Sequence, residues 1–184
     1  QYCCYPDVSI MARYTGAMEP SNFAWIDADM RRKGIRERLP EYLAASGDLA
    51  MRLYKEDVEA ALRTPGLAGF QLLALSDYTG QSTATIGLLD VFLHSKGICQ
   101  PEEFRCFCDA VVPLFKAKRI FTTDEVLEAE LGLYDHGSAP LARPRWEVRI
   151  EKDGEPFYEV VTEHPHISVP LDRITSSSRL HVTV

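Results

Sequence analysis

Residues 69–80 read Gly-Phe-Gln-Leu-Leu-Ala-Leu-Ser-Asp-Tyr-Thr-Gly, a largely apolar run that ends abruptly in a polar cluster. Such a run, bounded by turn residues, is what a strand buried on both faces requires. In barrels that alternate strands with helices, substrate meets the residues at and just beyond the carboxyl ends of the strands. That rule places Ser76, Asp77, Tyr78 and Gln81 as pocket residues. The competing reading is a buried strand followed by an ordinary turn, because Asp-x-x-Gly segments are common turn formers. The Asp77 carboxylate would then cap backbone N–H groups near Gly80 instead of facing a ligand.

The flanking patterns extend the argument. Ser21 is placed to cap a helix carrying Phe23, Ile26 and Met30 on one face and ending near Gly34. A second helix is expected from about Gly47 to Arg63, with Ser46 as cap, Asp48 in its first turn, and Leu49, Leu53, Val58, Ala61 and Leu62 along one face. Thr64-Pro65-Gly66 stops it. Helix, stop and buried strand in succession is the rhythm of an alternating barrel. After about Val112 the period changes to two: Leu127, Ala129, Leu131 and Leu133 share a face, as do Trp146, Val148 and Ile150. Asp153-Gly154 suits a hairpin turn, and Ile167, Val169 and Leu171, then Leu180, Val182 and Val184, supply two further strands. A sandwich of immunoglobulin-like character is expected there, cut short at the carboxyl end.

Composition excludes some classes of function. A net charge of −7 argues against a nucleic-acid surface, and the basic cluster Arg31, Arg32, Lys33, Arg36 and Arg38 is broken by Glu37. No apolar stretch approaches the ~20 residues that cross a bilayer. Cys3, Cys4, Cys99, Cys106 and Cys108 form no Cys-x-x-Cys pattern and read as buried free thiols, with a metal site or reactive pair as the alternative. His164 and His166 are a potential ligand pair without an identifiable third member. No metal or cofactor is required.

The stretch from Gly69 to Gly97, followed by Pro101-Glu-Glu-Phe-Arg-Cys-Phe-Cys108, resembles the end of the catalytic barrel in glycoside hydrolase family 2, in the branch of bacterial β-galactosidase-like enzymes. Gln1-Tyr2, Ala44-Ala-Ser-Gly47 and Glu59 through Gly66 are similar to the same branch, in order and in register. Ala74 stands where that strand carries an acidic residue, and Tyr78-Thr79 where it carries Phe-Pro; both departures bear on substrate preference more than on fold.

The resemblance implies an α/β plus all-β fold truncated at both ends: the C-terminal portion of a (β/α)8 barrel over residues 1–112, then an incomplete immunoglobulin-like β-sandwich over residues 113–184. It implies a parent enzyme that is a retaining exo-glycosidase hydrolysing terminal β-glycosidic bonds of a carbohydrate substrate. Its nucleophilic glutamate would fall just before Gln1 and its acid/base glutamate further upstream, so no catalytic residue is expected in this chain. The isolated chain is then inactive. Gln1 and Tyr2 would orient the nucleophile or line its pocket, and Asp77 and Gln81 would hydrogen-bond sugar hydroxyls. An extracytoplasmic compartment, periplasmic or secreted, goes with the same likeness. An unfinished barrel leaves Phe70, Leu72, Leu73 and Leu75 without neighbouring strands, so self-association is expected. The alternative class is a non-catalytic carbohydrate-binding or structural interaction module. It would require Trp146, Tyr134, Phe157 and Tyr158 to form an exposed platform, whereas the alternation puts Trp146 on the apolar side.

Overall fold

The computed structural model describes residues 2–81, 84–139 and 141–184, with Gln81 described in its backbone alone. The chain divides into two compact units: residues 1–61 with 66–105, and residues 62–65 with 106–184.

The second unit is built from six antiparallel strands: β1 (Val111–Ala117), β2 (Val126–Asp135), β3 (Trp146–Lys152), β4 (Glu155–Thr162), β5 (His166–Pro170) and β6 (Leu180–Thr183). They form two three-stranded sheets, ordered β1-β2-β5 and β4-β3-β6. The period-two pattern sets the register. On β2, Leu127, Ala129 and Leu131 point into the core while Glu128 and Glu130 face water. On β3, Val148 and Ile150 are fully buried. Val169 of β5 meets Leu127 across the ladder, and Val182 of β6 meets Ile150. These side chains make one shared core between the sheets. Each fully buried Val or Ile contributes about 1.5–3 kcal/mol relative to an exposed one. The β3–β4 hairpin turns at Asp153 and Gly154, whose φ angles of 51° and 90° are positive, as a tight hairpin turn demands. Trp146 packs against the core, and its Nε1 donates to the Gly132 carbonyl at 3.3 Å.

The first unit holds α1 (Ser21–Arg32), nearly all of α2 (Leu39–Leu62), the short α3 (Pro101–Arg105) and a 3-10 turn at Val8–Arg13. Phe23 and Met30 on α1 meet Val8 and Leu39 in a small core flanked by Tyr5, Ile26 and Tyr42. Ser21 is the first helical residue and not the cap; Pro20 holds the cap position without a side-chain hydrogen bond. At the other end Gly34 (φ 66°) lets the chain reverse, its N–H reaching Arg31 O at 3.1 Å and that of Ile35 reaching Met30 O at 3.0 Å.

α2 begins eight residues before the expected Gly47. Ser46 lies inside the helix, where its hydroxyl donates to Tyr42 O at 2.7 Å and accepts the Tyr5 N–H at 2.7 Å. Gly47 is there because Ile98 is: a Cβ at 47 would stand 2.3 Å from Ile98 Cγ2. The buried face is therefore Gly47, Ala50, Met51, Tyr54 and Val58, and Leu49 is 57% exposed.

The fold class expected from the resemblance is overturned. Among the described residues there is no alternation of helices with parallel strands; three helices precede two small antiparallel sheets. Residues 69–75, expected as the last barrel strand, belong to no strand, and Leu73 and Leu75 are 67% and 62% exposed. A strand persists only where neighbours take its backbone N–H and C=O groups. Here ladder-type bonding begins only at Leu75, whose carbonyl accepts the Leu89 N–H at 3.1 Å. The two sheets hold six strands among the described residues, one fewer than the roughly seven of an immunoglobulin-like sandwich.

Candidate functional site

The polar cluster at the end of the apolar run is folded into the first unit by a short ladder. Leu89 O accepts the Asp77 N–H at 2.9 Å, and Tyr78 and Ala84 exchange two backbone bonds at 2.9 and 2.8 Å. Gly87 sits where the two segments touch, since a Cβ there would lie 2.2 Å from the Ser76 carbonyl carbon. The N-terminal segment joins them: Cys4 N–H donates to Thr85 O at 2.9 Å, and the Thr85 hydroxyl donates to Cys4 O at 2.5 Å. From α2, the Tyr54 hydroxyl donates to Ile86 O at 2.9 Å.

Asp77 is held from two sides. Its Oδ1 accepts the Gly87 N–H at 2.9 Å and faces Lys96 Nζ at 2.6 Å, with the two side chains 8% and 14% exposed. Lys96 also donates to Thr85 O at 3.2 Å. Burial pushes the Asp77 carboxyl above the ordinary carboxylate range, against Lys96 and the Gly87 amide, which pull it down. Asp90 behaves in the opposite sense. Burial works to raise it, but the amides of His94 (2.9 Å) and Phe92 (2.8 Å), with the His94 and Arg13 charges, leave it below the ordinary range. Arg13 reaches Asp90 at 3.3 Å and lies over the Phe92 ring at 4.0 Å.

Asp77, Asp90 and Lys96 line one cavity of about 130 Å³, together with Tyr5, Phe23 and Ile98. That is less than half the ~300 Å³ at which pockets for drug-sized ligands begin. It has room for about four waters at ~30 Å³ each, or for one small polar group. Tyr14, which is not among the lining residues, packs edge-on to Phe23 and Phe92, with ring centroids 6.1 and 5.2 Å away. Its hydroxyl is buried and has no hydrogen-bond partner among the described residues.

The sequence-expected residues are distributed unevenly. Asp77 lines the cavity. Tyr2 does not: its hydroxyl donates to Asp57 Oδ2 at 2.8 Å, and its ring packs edge-on to Tyr54. Tyr78 is exposed, Gln1 lies outside the described residues, and so does the Gln81 side chain, the backbone closing a 3-10 turn at Thr79–Gln81. Lys96, Asp90, Tyr14 and Arg13 escaped sequence reasoning, because no motif links positions brought together only by folding. None of the five cysteines is in a disulfide, and the expectation that they are buried holds for Cys4 alone: Cys3 and Cys106 are exposed and Cys99 and Cys108 half-buried, while burial pushes the Cys4 thiol pKa up. Among the described residues no group of three or more His, Cys, Asp and Glu could hold a metal, His164 and His166 included. No described helix is long and apolar enough to cross a membrane. In comparison with known proteins, no family model matches the chain, and no curated protein matches it.

Proposed function

We propose that this chain is the substrate-positioning part of a retaining exo-glycosidase acting on terminal β-linked sugars, with both catalytic glutamates supplied outside these 184 residues. One observation carries the reading: Asp77 lines a small polar and aromatic cavity with its backbone fixed by the ladder to Leu89. A fixed carboxylate beside aromatic walls is suited to a sugar, which offers hydroxyl donors and apolar ring faces. The collinear residue likeness to β-galactosidase-like enzymes supports the same reading. Among the cavity's carboxylates, Asp7, Asp77 and Asp90, none is a glutamate, in keeping with a supporting rather than a covalent role. A non-catalytic module built on the sheets lacks such support, because Trp146 packs against the core instead of facing solvent.

The test is the coding sequence upstream of residue 1. A glutamate just before Gln1 and an Asn-Glu pair further upstream are expected, with hydrolysis of nitrophenyl β-glycosides by the extended protein and none by the 184-residue chain alone. Turnover by the homogeneous short chain, or an upstream segment without those glutamates, refutes the proposal.

A further inference from the structure

The ion pair in the cavity has an unused acceptor and an unused donor. Asp77 Oδ1 takes both the Gly87 amide at 2.9 Å and the Lys96 ammonium at 2.6 Å, and Oδ2 has no hydrogen-bond partner among the described residues. Nor is Oδ2 sealed in: among the described residues, the side-chain atom that is both fully buried and unpartnered is the Tyr14 hydroxyl. An ammonium carries three N–H donors. Lys96 Nζ gives one to Asp77 and one to Thr85 O at 3.2 Å, which leaves the third. Both side chains line the cavity, Asp77 8% and Lys96 14% exposed. Their backbones are tied down as well, the Asp77 N–H to Leu89 O at 2.9 Å and the Lys96 N–H to Leu88 O at 3.3 Å. A donor and an acceptor are thus held side by side at the wall of one cavity, flanking a single 2.6 Å contact.

We infer that Lys96 is a ligand-binding residue, and that with Asp77 it forms a two-point clamp for a vicinal diol on an uncharged sugar. This rests on the glycosidase reading of the cavity, and adds to it a second contact residue and the part of the sugar that is held. The chemistry is complementary. A hydroxyl both donates and accepts, so one hydroxyl donates to Asp77 Oδ2 while its neighbour accepts from Lys96 Nζ. Both bonds are charge-assisted, the stronger kind. Adjacency follows from the pair, because a donor and an acceptor in direct contact reach hydroxyls that are neighbours on a ring. The size follows from the cavity, about 130 Å³, or about four waters at ~30 Å³ each. That is more than one hydroxyl fills and less than a whole hexose needs, so the diol edge of the ring enters. The absence of charge follows from the lining. Asp7, Asp77 and Asp90 outnumber Lys96, whose own charge already faces Asp77, so an anionic ligand meets an excess of carboxylates.

The experiment is an NMR titration of the whole 184-residue chain, wild type and Asp77→Asn, with methyl β-D-galactoside, its monodeoxy analogues and methyl β-D-glucuronide. The readouts are the Gly87 and Leu89 amides and the side-chain ammonium resonance of Lys96. Saturable shifts at all three are expected in wild type, with millimolar affinity for the galactoside and weaker binding of the glucuronide. Removing either of two neighbouring hydroxyls should weaken wild-type binding about tenfold, the loss of one charge-assisted hydrogen bond, and removing the others should not. In Asp77→Asn the penalty for one hydroxyl of that pair should vanish while the penalty for its neighbour persists. The Lys96 ammonium shift should be lost with the analogue that lacks this neighbour; a lysine that only braces Asp77 would not distinguish the analogues. A single sensitive hydroxyl, or two that are not neighbours, overturns the inference from wild type alone, whatever the stability of the variant. An ammonium signal that stays still, or moves alike with every analogue, overturns it too and leaves Asp77 and the glycosidase reading standing. So does tighter binding of the glucuronide. Absence of saturable binding by wild type also overturns the inference, and leaves the glycosidase reading to the upstream sequence.

Discussion

Removing the Lys96 ammonium by Lys96→Met tests the ion pair at the centre of the site. In the folded chain Asp77 is 8% exposed and has two partners on one oxygen, Lys96 at 2.6 Å and the Gly87 amide at 2.9 Å. With the cation gone, a nearly buried carboxylate retains one neutral donor. Breaking a buried pair by removing one partner costs about 3–5 kcal/mol; Lys96 keeps some solvent contact, so about 3 kcal/mol is expected here. The pH dependence has a definite sign. The Asp77 pKa is already raised in the fold, mainly by burial, so ionisation costs stability above that pKa and the cost is relieved as pH falls through it. Loss of Lys96 raises the pKa further. The deficit of Lys96→Met is therefore largest at neutral pH and shrinks in mild acid. The double variant Asp77→Asn/Lys96→Met, which removes both charges of the pair, should recover most of it. Urea unfolding at neutral and mildly acidic pH, with hydrogen exchange at the Asp77, Gly87 and Leu89 amides, reads all three effects. A deficit under about 0.5 kcal/mol at neutral pH, or a double variant no more stable than Lys96→Met, refutes the reasoning.

Gly47→Ala should destabilise by about 1–3 kcal/mol, although alanine is ordinarily the better helix former, because the new methyl overlaps Ile98; adding Ile98→Ala should restore stability, and a stabilising Gly47→Ala would contradict the packing. Ile150→Ala empties the centre of the core shared by the two sheets and should cost about 2–5 kcal/mol in urea unfolding, whereas Val161→Ala at an exposed position should cost under about 0.5. The exposed side chains of Leu73 and Leu75 should drive self-association, so Leu73→Lys/Leu75→Lys should lower the apparent mass in light scattering; a wild-type chain that is monomeric at all concentrations speaks against that.

Legibility in the sequence followed the range of the forces involved. The strands around Leu127 and Val148 were readable because burial alternates with the pleat, and the Asp153-Gly154 turn because positive φ selects its residues. The start of α2 was not. Ser46-Gly47-Asp48 has the composition of a helix start, yet the glycine answers to Ile98, fifty-one positions away, and the serine to Tyr5. The apolar run from Gly69 misled for a related reason: apolar composition indicates a wish for burial, and only neighbouring strands can grant it. Of the site, Asp77 was singled out as the mouth of a barrel strand that is not there; what the structure shows is that it lines a cavity. Its partner Lys96, the opposed carboxylate Asp90 and the unmet hydroxyl of Tyr14 depend on a loop closure that no local pattern announces.

The central claim is that Asp77 positions substrate, and steady-state kinetics of Asp77→Asn and Asp77→Ala in the protein extended upstream test it most directly. A charged acceptor on a sugar hydroxyl contributes roughly 1.5–3 kcal/mol, and with the positioning it provides, its loss should lower kcat/KM about 10- to 100-fold. Asp77→Asn, which can still accept the Gly87 amide, should show that fall with a smaller drop in melting temperature than Asp77→Ala. Wild-type kcat/KM in both variants, with lowered melting temperatures, would make Asp77 a structural clamp between Gly87 and Lys96 and contradict the account.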